Sequence, residues 1–213
     1  MKQLRETIQK ILLQEYACEG INLTLWGGML ELDRLGLHIS SYWRPEDYDS
    51  GKAKNIGLYV LDDRGRQKAV WMGEYQVTEQ GCLGAFQCTN TSAAGLRGTG
   101  VGALLYDVAC ELAGENGVSS DRNSVSPPAW KMWKYMWKNS GPSDTYQNIG
   151  TYDWDGNQTP DYEWDDCTST SWHHHDHGWR PDEHPLNQVY RKRDQSRPTI
   201  RCLEERGLIK YEE

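Results

Sequence analysis

Three glycines behind an arginine carry the clearest chemical signal in this chain. Residues 83–117 read LGAFQCTNTSAAG, then LRGTGVG, then ALLYDVACELAGENG. The first segment has strand-like composition over 83–89. The third places Val101, Leu104, Leu105, Val108 and Leu112 at the spacing of one helix face. Strand, glycine turn and helix in that order put backbone N–H groups at a helix N-terminus, where the first four donors lack intrahelical partners. The helix dipole adds partial positive charge, so the arrangement suits a phosphate. Arg97, Gly98, Thr99, Gly100, Val101 and Gly102 are the candidate binding loop, its glycines admitting an anion to the backbone without a Cβ in the way. Two commoner phosphate loops are excluded by spacing. No Lys follows the glycines as a P-loop requires, and residues 98–102 are GxGxG, not GxGxxG. The plainer alternative is a glycine-rich turn that starts a core helix.

Other reactive side chains give weaker signals. Cys167 and the run His173, His174, His175, Asp176, His177 have zinc-ligand chemistry. Adjacent histidines cannot all face one metal, and the spacing matches no structural zinc pattern, so they read as surface histidines and no metal is expected. In residues 126–139, Ala129, Met132, Trp133, Met136 and Trp137 repeat at helical spacing. Such a Met/Trp stripe is core packing more often than chemistry. Lys131, Lys134 and Lys138 take the opposite, solvated side.

Several elements must position these groups. Residues 1–20 read as an amphipathic helix with Leu4, Ile8, Ile11 and Leu12 on one face. Residues 21–26 and 29–32 are strand candidates, and 35–43 alternates as a strand should. Residues 56–61 and 69–77 flank the turn Asp62-Asp63-Arg64-Gly65 and read as a hairpin. Ser126 is the expected N-cap of the Met/Trp helix, with Pro127 at its first position. From 140 to 183 periodicity disappears, and Trp154, Trp164, Trp172 and Trp179 are scattered among Asp, Gly and Pro; a loop of this length tends to be functional or disordered. The tail holds a short helix candidate with Leu186, Val189 and Tyr190, and a second helix from Pro198 to a C′ glycine, Gly207.

The chain has 213 residues and a net charge of −8, room for one domain with a core plus extensions. Ten acidic residues and one basic, Arg180, lie between Asp144 and His184. That segment is either a solvated loop or a surface for a cationic partner, and it disfavours nucleic acid. Arg191, Lys192, Arg193, Arg197 and Arg201 form a basic patch, read as the acidic segment's intramolecular partner. No apolar run is long enough to span a membrane. The six cysteines show no CxxC pairs, and no export signal is evident, so free thiols in a reducing cytoplasm are expected.

Arg97, Gly100 and Gly102 meet the pattern [Q/R]xxGx[G/A], which resembles the pyrophosphate-binding loop of the GNAT acetyltransferase superfamily. The run SDRNSVS (120–126), with Asp165-Asp166-Cys167 and PLNQVY (185–190), resembles GNAT-like proteins encoded by bacteriophages. The resemblance implies an α+β fold: a central mixed, mostly antiparallel sheet flanked by helices, with a long Trp/Asp-rich C-terminal extension. Residues 1–139 would be the acyl-CoA-binding core, 140–184 an acidic irregular insertion and 185–213 a helical tail. It further implies acetyl transfer from acetyl-CoA to an amine, on a protein, a small molecule or a modified DNA base. A carboxylate is then wanted as base near the central strands. Asp121 is the candidate and Glu74 the reserve, with backbone N–H groups around 88–92 for the oxyanion. The plainer role for Asp121 is pairing with Arg122 or capping a turn. Family members commonly carry an acidic Tyr four residues after the Ala of the following helix. Here that position is Trp133, which cannot donate a proton in that role, and Tyr135 lies on another side of the helix. A degenerate module binding a host or virion protein is the alternative reading, and a zinc-dependent module a third.

Overall fold

The computed structural model describes residues 18, 21–76, 84–121, 124–151, 178–180 and 183–212. The first element, α1 (Leu23–Arg34), overturns the strands expected at 21–26 and 29–32. Asn22 Oδ1 accepts the N–H groups of Thr24 and Leu25, each at 3.0 Å, which is an N-cap. Leu25, Met29 and Leu32 then fall on one buried helical face. A cap and a consistent helical stripe outweigh the weak strand preference of Ile21 and Trp26.

After α1 come β1 (His38–Ser41), a short helix α2 (Pro45–Asp49), and the hairpin of β2 (Asn55–Leu61) and β3 (Gln67–Tyr75). The hairpin and its turn stand where the sequence places them. Asp62 Oδ1 accepts the N–H groups of Arg64 and Arg66, fixing the connection. Next are β4 (Phe86–Ser92), α3 (Val101–Ala113), β5 (Val118–Ser119), α4 (Pro127–Lys138) and β6 (Tyr146–Thr151). The chain closes with β7 (Gln188–Lys192), α5 (Pro198–Glu205) and β8 (Ile209–Tyr211). One eight-stranded sheet results, in the order β6-β7-β5-β4-β3-β2-β1-β8. Only β4–β5 and β1–β8 pair in parallel, so the architecture is α+β with a mixed, mostly antiparallel sheet. Parallel neighbours need a crossover, and α3 supplies it between β4 and β5, packing on the sheet with α1 and α5 against it.

The C-terminal third departs from expectation. Residues 188–192, expected within a short helix, are a strand between β5 and β6. Residues 146–151, expected to be irregular, are its antiparallel partner. Trp154, Trp164, Trp172, Cys167 and the run 173–177 lie outside the described residues. The interior position of β7 explains why its polar residues are buried and matched. Lys192 Nζ reaches Asp107 Oδ2 at 2.7 Å and Glu111 Oε1 at 2.6 Å. Tyr146 donates its hydroxyl hydrogen bond to Asp107, and Glu111 accepts the backbone N–H groups of Thr199 and Ile200. Burial works against the Lys192 charge, but the two carboxylates outweigh it and hold the ammonium's pKa above its ordinary value. This cluster ties α3, β6, β7 and α5 together.

One further expectation is corrected, and another is met only in part among the described residues. Most of the acidic segment lies outside the described residues, and within them the basic patch has these partners. Arg197 pairs with Asp49 of α2, Arg191 with Glu115 just after α3, and Arg193 with the carbonyls of Gly141 and Asp144. The cysteines are not all free thiols, because Cys18 and Cys202 form a disulfide. Cys88 and Cys110 are free and buried. Among the described residues, no helix is long and apolar enough to cross a membrane.

Candidate functional site

Strands β4 and β5 stay paired only at Phe86 with Val118 and Gln87 with Ser119. Beyond these rungs the partners part. β4 runs on to Ser92 against β3, while residues 120–126 lead from β5 into α4. The register of β4 slips by one residue, since Met72 faces Asn90 and Gly73 faces Cys88. Thr89 is therefore a bulge, a device that ends regular pairing and re-aims side chains. The gap left by the parting strands is a cleft made of two adjoining cavities.

The inner cavity, about 160 Å³, lies between residues 88–91 of β4 and Asp121, Ser124 and Val125. The outer cavity, about 440 Å³, is reached past Arg97, Gly102, Lys131 and Met132. Thr91, Tyr106, Ser126 and Ala129 line both, so these four mark the junction. The outer mouth is electropositive. Arg97 is exposed there, and α3 begins there. The Leu104 N–H is answered by the Gly100 carbonyl at 3.0 Å and that of Val101 by Thr99 Oγ1 at 3.4 Å. The N–H groups of Gly102 and Ala103 precede the first intrahelical acceptor and sit at the cavity wall.

The six loop residues divide by role. Arg97 and Gly102 line the outer cavity. Thr99 turns back to donate to the Leu96 carbonyl, and Val101 is buried in the core. Gly98 has a positive φ and open space around it. Gly100 has a different constraint from the one expected. With φ at 90°, a Cβ there would stand 2.5 Å from the Thr24 carbonyl oxygen and 3.0 Å from the Gly28 nitrogen. Close packing of α1 on the loop requires this glycine, whatever the loop binds.

The two candidate bases are separated. Asp121 lines the inner cavity and accepts the Ser124 N–H at 2.9 Å on one carboxylate oxygen, so it also caps a turn. Its charge is felt across the cavity: burial first, and then Asp121, push the Cys88 thiol up to about 12. Cys88 is thus a protonated thiol at neutral pH and no nucleophile. Glu74 stands outside the cleft, in a groove with Tyr42, Asn55, Tyr59 and Met72 that meets the inner cavity at Thr89.

On α4, Trp133 is buried and packs edge-on to Tyr106 at 5.3 Å between ring centres. It is a core residue that also walls the inner cavity. Tyr135 is 40% exposed and turns to Tyr146 instead. The residue the sequence did not single out is Tyr106. It lies four positions after Gly102, hence on the same side of α3, and that spacing was the available signal. Comparison with family models, with curated proteins and with solved structures finds no match to this chain.

Proposed function

We propose that the chain is an acetyl-CoA-dependent N-acetyltransferase of the GNAT type, acting on an amine acceptor. The observation that carries this reading is the cleft itself. It runs from an electropositive helix N-terminus at Arg97 and Gly102 to a carboxylate at Asp121, between strands that part. The sequence pattern at Arg97, Gly100 and Gly102 supports the same reading. A pyrophosphate would lie against Arg97 and the N–H groups of Gly102 and Ala103, where backbone donors and dipole favour anions. The pantetheine arm would follow the junction inward, beside the unpaired edge of β4 past Gln87. That edge offers backbone N–H groups to a thioester oxygen as it gains charge.

In the inner cavity Asp121, directly or through a water, would take a proton from the acceptor's ammonium form. The neutral amine attacks the thioester carbonyl, a C–N bond forms, the C–S bond breaks, the electron pair leaves on sulfur, and the nitrogen's second proton passes to solvent or to the departing thiolate. Glu74 is the reserve base for an acceptor approaching from the Thr89 side. The second reading is a coenzyme-binding module without turnover that engages a host or virion protein. Trp133 favours it, since indole supplies no proton to a departing thiolate.

Two variants test the proposal. Gly102→Glu places a carboxylate at the outer cavity with room for its Cβ, 4.0 Å from that of Ala93, and acidic residues are compatible with a helix start. Calorimetry should show acetyl-CoA binding by wild type and none by this variant at unchanged melting temperature. Asp121→Asn should keep coenzyme binding and slow thiol release with an amine panel by about 10² to 10⁴, the usual share of general-base catalysis. Absence of wild-type binding would remove the proposal; binding without release on any amine would leave the second reading.

A further inference from the structure

Helix α3 is braced at both ends, and a disulfide joins the two braces. At its start the glycine loop meets α1 main chain to main chain. A Cβ at Gly28 would stand 2.9 Å from the Gly100 carbonyl, and one at Gly100 would stand 2.5 Å from the Thr24 carbonyl oxygen. No flexible side chain is there to absorb a shift of α1, so the loop follows the first turns of that helix. At the other end of α3, Glu111 accepts the N–H groups of Thr199 and Ile200 at 3.0 and 2.8 Å. Lys192 bridges Asp107, Glu111 and Thr199 beside it. The start of α5 is thereby fixed to the end of α3.

The bond between Cys202 of α5 and Cys18, ahead of α1, closes this ring of contacts. Cys18 is tied to the helix start, because its carbonyl accepts the Ile21 N–H at 3.3 Å and Asn22 then caps α1. Arg206 also joins α5 to α1, over the Trp26 ring and beside Asp33, so opening the bond loosens the first turn without releasing the helix. Cys202 is 1% exposed, whereas Cys18 is half-buried, and a reductant therefore reaches the bond at the Cys18 sulfur. The thiolate of a dithiol attacks that sulfur and forms a mixed disulfide, and Cys202 leaves as a thiolate that takes a proton. The dithiol's second sulfur then closes on the first and releases Cys18. Two electrons pass from the dithiol to the protein.

Resting on the acyl-coenzyme reading above, we propose that the Cys18–Cys202 bond is a redox-sensitive brace for the coenzyme loop. Oxidised, it holds α1 against Gly100 and keeps Arg97 and the N–H groups of Gly102 and Ala103 at the outer cavity. Reduced, the start of α1 is held by its cap and packing alone. The loop then spends part of its time away from the binding form, and coenzyme affinity falls by that fraction. The device acts on binding and not on the chemistry at Asp121.

The test measures binding of desulfo-coenzyme A by calorimetry, since that analogue has no thiol to exchange with the bond. Oxidised wild type, wild type opened with dithiothreitol and Cys18→Ala are compared well below their melting temperatures. Alkylation and intact mass report whether the bond is open. The opened and substituted proteins should bind about 3- to 10-fold more weakly than oxidised wild type, the factor set by the share of molecules whose loop keeps its binding form. Amide exchange should quicken at residues 97–103 on opening and stay unchanged in β3. Equal affinity in all three proteins would overturn the brace and leave the coenzyme reading standing. So would weakening in only one of the two opened forms, or a bond that dithiothreitol cannot open in the folded protein. Exchange that quickens as much in β3, or a Cys18→Ala chain that does not fold, would overturn it by making the bond a support of the whole fold. If oxidised wild type binds neither acetyl-CoA nor the analogue, the coenzyme reading falls and this inference with it.

Discussion

Single atoms decide how the glycine loop should be probed. Gly98 and Gly100 look interchangeable in the sequence, and both have positive φ. A methyl at Gly98 meets nothing within 4 Å, whereas at Gly100 it meets the Thr24 carbonyl at 2.5 Å. Gly98→Ala should therefore cost only the left-handed backbone penalty of about 1 to 2 kcal/mol. Gly100→Ala adds a backbone collision and should reach about 3 kcal/mol or more, the upper end of ordinary substitutions. Urea denaturation of both variants checks the ordering, and equal losses would contradict the tight α1 contact. Loss of coenzyme binding in a Gly100 variant would thus say little about phosphate contact, which is why Gly102 is the informative position. That distinction was not legible in the sequence. The pattern at Arg97, Gly100 and Gly102 identifies a loop before a helix, but the neighbour that forbids a Cβ is Thr24, 76 residues earlier by numbering. Tyr106 was within reach, since its four-residue offset from Gly102 puts both on one side of α3.

At the scale of elements, local signals were readable where they repeat and where a turn residue punctuates them. The β2–β3 hairpin, α3 and α4 all follow from periodicity and turn or cap chemistry. α1 was misread although Asn22 offered a cap, because a strand-prone start at Ile21 and a Gly-Gly pair at 27–28 obscured the helical stripe. β7 was misread because an interior strand does not alternate, and Gln188, Val189, Tyr190 and Lys192 are all buried. What makes Lys192 tolerable there is α3, which brings Asp107 and Glu111 to it. Lys192→Met should fill a similar volume yet leave two buried carboxylates without their cation. The expected loss is about 3 to 5 kcal/mol, read by denaturant unfolding at pH 7. Burial already raises the Glu111 pKa despite the lysine's opposing pull, and removing that pull should raise it further. A carboxyl with a raised folded pKa binds its proton more tightly in the native state than in the unfolded one. The Lys192→Met deficit should therefore shrink as pH falls through that raised pKa and the carboxyl is neutralised. A deficit that does not change with pH would mean the charge cluster contributes only packing.

At the scale of the whole molecule, one edge of the sheet is completed by a part of the chain far away in sequence. β8 extends the β1 edge in parallel, and α5 before it packs on α3. Cys18 is bonded to Cys202 of α5 across a sequence separation of 184 residues. No local pattern could announce that pair, because the two cysteines meet only when α1 and α5 share a core. Cys202 is 1% exposed and its sulfur lies 3.5 Å from that of Met29 on α1, so the bond clamps the chain before α1 to the last helix. A cross-link closing so long a loop removes much unfolded-chain entropy. The chain-entropy model puts its contribution near about 5 kcal/mol, while natural bridges are worth roughly 2 to 5 kcal/mol when removed. Reductant should therefore lower the melting temperature of the wild-type protein by several degrees. Cys18→Ala should melt lower from the outset and lose the part of the response to reductant that this bond supplies; among the described residues the other cysteines, Cys88 and Cys110, are already unpaired. Cys18 is the side to substitute, since truncating Cys202 would add a core cavity to the lost bond. Thiol titration of the unfolded, unreduced protein gives an independent count, which should rise by at least two when reductant is added first. If reductant moves neither the melting curve nor that count, the two sulfurs are thiols in solution, and the ends of the fold are held by packing alone.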